Sequence, residues 1–270
     1  MKRRKRRGTA LAWVLLAAAL AIMALSGYHL LEIRRTYQEG NQSYVALTDR
    51  VRPAGNSAFY MPAAEGLTPD EAIGGPALDM GIDFAALRKI NPDAAAWLYC
   101  PDTVIDYPVL RTADYDYYLH RLPDGTINAN GTLFVDYNNA AEFTDRLTVI
   151  YGHNMRSGRM FGSLTGYKAQ EYYDAHPYFY LNTAGGANYR IDLAYGCVIG
   201  AGQWVERGFM YEENLSAFLA YAAENTTFTS PAQYTSADRF VILSTCSYEF
   251  NDARYVVAGV LRPARAEQNQ

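Results

Sequence analysis

Cysteine and histidine are scarce in this chain: its 270 residues include three Cys (Cys100, Cys197, Cys246) and four His (His29, His120, His153, His176). No two of these seven lie within five residues of each other. That excludes the paired ligand spacing of zinc sites, and three scattered thiols exclude a disulfide-rich scaffold. No metal or cofactor is expected. Basic charge is also lacking over most of the length. Six of the 24 Lys and Arg stand at positions 2–7, which leaves 18 to face 28 Asp and Glu. A surface of that sign excludes a general nucleic-acid binder, because phosphate contacts need basic side chains. No internal repeat is present.

Hydrophobic residues make up 50% of the chain, and 23 Tyr and 11 Phe lean it toward strands, where aromatics fit a pleated surface. The N-terminus stands apart. After the basic block at 2–7, Gly8 to Leu31 contains no Asp, Glu, Lys or Arg. About 20 apolar residues rising 1.5 Å each span a bilayer core of roughly 30 Å. The expectation is a cytoplasmic tail (1–7), a single-pass transmembrane anchor (8–31) and everything beyond it outside the cell. Ala24-Leu25-Ser26 before Gly27 also fits a signal-peptide cleavage site. The apolar run exceeds the usual core of about 7–15 residues in a signal peptide, which favours the uncleaved anchor. Either way the main domain is exported.

Residues 32–52 continue the helical spacing through Leu30, Ile33 and Tyr37, with Gly40-Asn41 expected to interrupt it. Residues 53–82 hold four Pro and five Gly with little periodicity and read as a linker, so 32–82 is a juxtamembrane helix plus linker. From 83 the pattern changes. Asp83 is placed to cap a short helix that ends before Asn91-Pro92. Strand-like runs follow at Ala96–Cys100, Ile105–Leu110, Thr132–Asp136, Leu147–Tyr151, Tyr178–Asn182, Asn188–Val198, Arg239–Thr245 and Arg254–Leu261. Turn signals such as Pro123-Asp124-Gly125 and Asn130-Gly131 separate most of them, which points to a mainly β barrel or sandwich over 83–262, with a short tail at 263–270. One segment departs from this. Glu212–Asn225 sets Leu215, Phe218, Leu219 and Ala222 on one helical face, an amphipathic helix inserted between two strands.

Three residues at strand ends carry candidate chemistry. Cys246 closes Arg239–Thr245 and is followed by the polar stretch Ser247–Asp252. His153 follows Thr148-Val149-Ile150-Tyr151-Gly152, where Gly152 is expected to permit a turn. Arg254 opens Tyr255-Val256-Val257. Singly, each has a plainer reading: a buried inert thiol, a His satisfied by backbone, a solvated end charge. Together they form a chemical set. A thiol attacks as thiolate, a nearby imidazole trades the proton, and a fixed guanidinium stabilises the oxyanion of acyl transfer.

At these residues the sequence resembles the sortases, and more specifically class B. Leu243-Ser244-Thr245-Cys246 matches the signature around the family's nucleophile, Tyr151-Gly152-His153 its catalytic His strand, and Arg254-Tyr255-Val256-Val257 the strand of its catalytic Arg. Upstream, Ile90–Asp93, Ala96-Trp97-Leu98, Ile105–Leu110, Tyr118-Leu119 and Gly131–Asp136 also fit, and the match runs over roughly 83–262. The resemblance implies an eight-stranded β-barrel with short helices on the outer face of a Gram-positive membrane. It implies transpeptidation: Cys246 cleaves the sorting-signal peptide of a secreted protein after Thr, holds it as a thioacyl intermediate, and passes it to an amine of lipid II or of a pilin. His153 would be the acid/base and Arg254 the oxyanion or backbone ligand. Leu119, Trp204, Val205, Ser244 and Thr245 would line the peptide groove. Two departures bear on the substrate: Ser247 follows the nucleophile where many class B members carry an acid, and Tyr115 stands where a groove Asn is frequent. Cys100 and Cys197 match no family role and are expected in the core rather than in a disulfide.

Two other readings stand beside this one. Another exported Cys enzyme, such as a peptidoglycan amidase or an L,D-transpeptidase, would place Cys before His or a His just before its Cys, and neither order occurs here. A non-enzymatic anchored β-domain would need no reactive thiol at Cys246.

Overall fold

The computed structural model describes residues 3–52 and 73–264. Most of the expected linker, 53–72, and the end of the tail, 265–270, lie outside the described residues.

Eight strands close into one barrel: β1 (Ala94–Tyr99), β2 (Asp106–Arg111), β3 (Leu133–Val135), β4 (Leu147–Tyr151), β5 (Tyr178–Thr183), β6 (Asn188–Gly200), β7 (Arg239–Cys246) and β8 (Ala253–Pro263). Their order around the barrel is β1-β2-β3-β4-β7-β8-β6-β5, with β5 returning to β1. Every expected strand is present, its ends within two residues of the expected ones. The runs were legible because most are buried on both faces. In β7, Phe240 and Ile242 join one apolar cluster while Val241 and Leu243 join another, so no polar residue is needed between Phe240 and Leu243. Two pairings are parallel, β2 with β3 and β4 with β7; the others are antiparallel.

Helix α1 (Arg3–Val51) is continuous through Gly40-Asn41, contrary to the expected break. The glycine serves packing rather than a turn. A Cβ there would lie 2.5 Å from Asn130 Nδ2 and 2.6 Å from Asn128 Oδ1. The bare backbone lets the loop before β3 dock on the helix, where Asn128 Nδ2 donates to Thr36 O at 2.9 Å and Asn130 Nδ2 to Asn41 Oδ1 at 3.1 Å. One helical face then continues the seam: Tyr44, Leu47 and Val51 are buried against the barrel. Arg52 closes it with a two-pronged pair to Asp106 at 2.8 and 3.0 Å, an acid that also accepts from Trp97 Nε1. Burying an aliphatic side chain of this size contributes about 1.5–3 kcal/mol, so the seam is a substantial contact. From Ala12, α1 is long and apolar enough to cross a membrane: one 18-residue window has mean hydropathy 2.0 and no buried part.

Helix α2 (Phe84–Ile90) has the expected cap, Asp83 accepting from Ala86 N at 2.8 Å, and ends at extended Asn91. Short elements that the sequence reading did not anticipate follow β4 and β6: a 3-10 turn over Gly162–Lys168, α3 (Gln170–Ala175) and α4 (Ala201–Glu206). The inserted helix is α5 (Leu215–Asn225), preceded by a 3-10 turn at Glu212–Asn214; Leu215, Phe218 and Ala222 are buried and Leu219 packs at the edge.

Candidate active site

The parallel pairing of β4 and β7 decides where the chemistry sits. Tyr151 pairs with Ser244, so both strands end at one rim, and the next residues are Gly152-His153 on one and Thr245-Cys246 on the other. The antiparallel return of β8 places Arg254 directly opposite Cys246. Three residues far apart in sequence therefore stand at one rim because three strands share an end. Hydrogen bonds stitch the rim: Gly152 N donates to Ser244 O at 3.2 Å, Thr245 Oγ1 to Gly152 O at 2.8 Å, and Asn154 Nδ2 to Cys246 O at 2.8 Å. Gly152 is needed here for space, since a Cβ would lie 2.3 Å from Leu133 Cδ2 and 2.7 Å from Phe161 Cδ2. Its φ is not in the left-handed region, so the turn expected of it is not its reason.

Cys246 is exposed, whereas Cys100 and Cys197 are fully buried and unpaired as disulfides. Burial pushes both buried thiols up to about 12. His153 is half-buried, and its Nε2 meets Leu119 O at 2.7 Å. A carbonyl only accepts, so Nε2 carries the proton in the neutral ring and Nδ1 the lone pair. Burial lowers the His153 pKa below the usual histidine value; the Leu119 carbonyl opposes that shift and the neighbouring His120, with ring centroids 6.2 Å apart, adds to it. Arg254 is half-buried, and no carboxylate among the described residues pairs with it. Its guanidinium lies 5.8 Å from the centroid of the Tyr151 ring.

Cys246 and Arg254 line an open cleft of about 630 Å³ with Ala201, Tyr248 and Phe250. A second concavity, about 530 Å³, is lined by Asn154, Lys168, Tyr248 and Glu249, and shares the last two with the first. Lys168 pairs with Glu249 there, and Ser247 Oγ donates to the same carboxylate. Of the residues expected along the groove, Val205 is 64% exposed and Leu119 partly buried. Ser244, Thr245 and Trp204 are each 1% exposed and lie beneath the surface. Trp204 belongs to an aromatic cluster, 6.2 Å from Phe209 and 5.8 Å from Phe218 between ring centroids. Asp136 lies just past β3 and Tyr151 ends β4; a carboxylate at a strand end, with Asn138-Asn139 close behind it, is the signal the sequence holds for the first. Among the described residues no group of three or more His, Cys, Asp or Glu could hold a metal ion.

No protein-family profile matches the chain. A curated relative does: sortase B of Listeria monocytogenes is 35% identical over 179 residues, which is 65% of this chain and 72% of that protein. Among solved structures, sortase B of B. anthracis in complex with AAEK1 aligns with TM-score 0.67 at 25% identity, covering 85% of this chain and 99% of that one. A sortase B complexed with triglycine aligns with TM-score 0.60 at 26% identity over 67% of this chain and 86% of that one.

Proposed function

The chain belongs to the class B sortases, which are cysteine transpeptidases, and from that premise we propose that Cys246, His153 and Arg254 are its catalytic set. One observation carries the reading: the exposed thiol faces Arg254 across the β7–β8 ladder, on the rim where β4 delivers His153.

In the first half-reaction the Cys246 thiolate attacks the Thr carbonyl carbon of a sorting peptide. The new oxyanion is held by the Arg254 guanidinium, which has no carboxylate partner among the described residues to surrender. Collapse breaks the C–N bond, and the imidazolium of His153 gives its proton to the leaving amine, leaving a thioester on Cys246. In the second half-reaction an amine attacks that thioester, neutral His153 takes its proton at Nδ1, and collapse forms the new amide and restores the thiolate. The lowered pKa of His153 suits the second step, since it keeps the ring in the accepting form near neutral pH.

The acyl donor is the sorting signal of a secreted protein, and the acceptor an amine of lipid II or of a pilin. The triglycine ligand of the related structure supports an amine-bearing acceptor. The apolar part of α1 anchors the enzyme, with the basic block in the cytoplasm and the barrel outside. A peptide-library cleavage assay tests the reading. Cys246→Ala should lose both cleavage and transfer, while Cys100→Ala and Cys197→Ala keep most activity. Turnover near wild type in Cys246→Ala would end it.

A further inference from the structure

Among the described residues, Arg254 has no carboxylate partner of the kind a guanidinium normally has. Its Nε is buried with no hydrogen-bond partner among the described residues, and its neighbour is the face of Tyr151, itself 7% exposed. What fixes that ring is a buried carboxylate. Asp136 is 0% exposed, and its Oδ2 accepts from Tyr151 Oη at 3.0 Å and from Tyr115 Oη at 2.9 Å. Its Oδ1 accepts from Asn138 N and Asn138 Nδ2, both at 2.9 Å. An ionised carboxylate only accepts, so four donors converge on one acid and both phenols are held as donors. The Tyr151 ring is further pinned by Phe134 and Tyr115, each with its centroid 5.6 Å away.

We propose that Asp136 and Tyr151 form a positioning unit for Arg254: the acid locks the phenol, and the ring face seats the guanidinium. The chemistry explains why a ring is used. A carboxylate beside Arg254 would neutralise it and occupy the N–H groups that must reach a developing oxyanion. A π face attracts the cation while leaving those donors free. Tyr115 enters as a second lock on the same acid. The inference rests on the role given to Arg254 above.

The test measures thioacyl formation and turnover by the full-length chain, using an internally quenched peptide with one Thr-Gly bond. Tyr151→Leu, which removes the seat, should lower kcat about 30-fold, the worth of a desolvated cation–π contact, with KM changed much less. Tyr151→Phe and Asp136→Asn, which keep the ring but free it, should each cost a smaller factor of about 3–10. The decisive arm repeats all three in an Arg254→Ala background. A positioning role predicts no further loss there, because the group being positioned is gone. Alkylation of Cys246 should be unaffected in every variant that keeps Arg254. Equal losses with and without Arg254 overturn the proposal, as does wild-type kcat in both Tyr151→Phe and Asp136→Asn. Should Tyr151→Leu fail to fold, the two milder variants decide the question by the same comparison. Arg254→Ala alone separates the two layers: a wild-type rate there would undo the role of Arg254 itself.

Discussion

Selective alkylation of the three thiols gives the sharpest check on the assignment of the nucleophile. The perturbation is a short pulse of iodoacetamide at pH 8 on the folded chain. Only thiolate reacts, so the rate of each Cys scales with its ionised fraction and its access. With burial holding Cys100 and Cys197 at about 12, about one molecule in 10,000 carries thiolate at either site at pH 8. An exposed reference thiol with a pKa of about 8.5 is about one quarter ionised at that pH. Ionisation alone thus slows the buried pair about 2,000-fold against the reference, before their complete burial is counted. Cys246, exposed at the end of β7, should take one equivalent before either of the others is measurably labelled. Intact-mass analysis with peptide mapping reads the sites, and labelling in urea should yield three equivalents. Cys246→Ala should take up almost nothing in the same pulse. Labelling of Cys100 or Cys197 at a rate comparable to Cys246, in a chain that keeps its native circular dichroism, would refute the burial argument. A Cys246 that resists the reagent would refute the nucleophile.

Three further outcomes follow from the same geometry. Arg254→Lys keeps the charge but loses the planar fork, and should drop kcat on the order of 100–1000-fold with the fold intact; a wild-type rate would leave Arg254 an ordinary strand-end cation. Trp204→Ala opens a hole between Phe209 and Phe218, and should cost about 3–5 kcal/mol in a denaturant titration. A large fall in peptide cleavage with unchanged stability would instead restore Trp204 to the groove. Burial lowers the pKa of both His153 and His176, so the unfolded chain takes up protons first on acidification. Their contribution is complete above the unfolded value of about 6.5 and is lost as pH falls from there through the lower folded values, so urea midpoints should be lower at pH 5.5 than at 7.5. Replacing both with Gln should flatten that slope, and an unchanged slope would refute the assignment.

The barrel was legible because its strands are doubly buried runs of apolar and β-branched residues bounded by turn signals, and Leu147–Tyr151 was placed to the residue. Helices α2 and α5 were legible through the Asp83 cap and the Leu215-Phe218-Ala222 stripe. The short α3 and α4, each six residues long, offer too few turns for a periodic signal. Gly40 misled for a different reason: its neighbour is Asn130, ninety positions away, and no local pattern reports such a contact. The site shows the same division. Cys246, His153 and Arg254 could be picked out because each lies within two residues of a strand end and inside a matching family motif. The buried state of Trp204, and the convergence of Tyr115, Asn138 and Tyr151 on Asp136, are products of the closed barrel. Such long-range contacts leave only a compositional trace in the chain.

The unbroken α1 has a mechanical consequence for an enzyme anchored as proposed. A flexible tether would let the catalytic rim sample a hemisphere above the lipid surface. A single rod, clamped to the barrel through Tyr44, Leu47, Val51 and the Arg52–Asp106 pair, removes that freedom. With about 20 residues in the bilayer, the remainder of Ala12–Val51 rises on the order of 30 Å at 1.5 Å per residue. The rim would then work at one altitude and one tilt, turning only about the membrane normal. Two membrane-bound reactants would have to meet it within that thin shell, so their encounter becomes a search in a plane rather than in a volume. Lengthening the rod by a few residues would both raise and rotate the rim, by about 100° for each residue added.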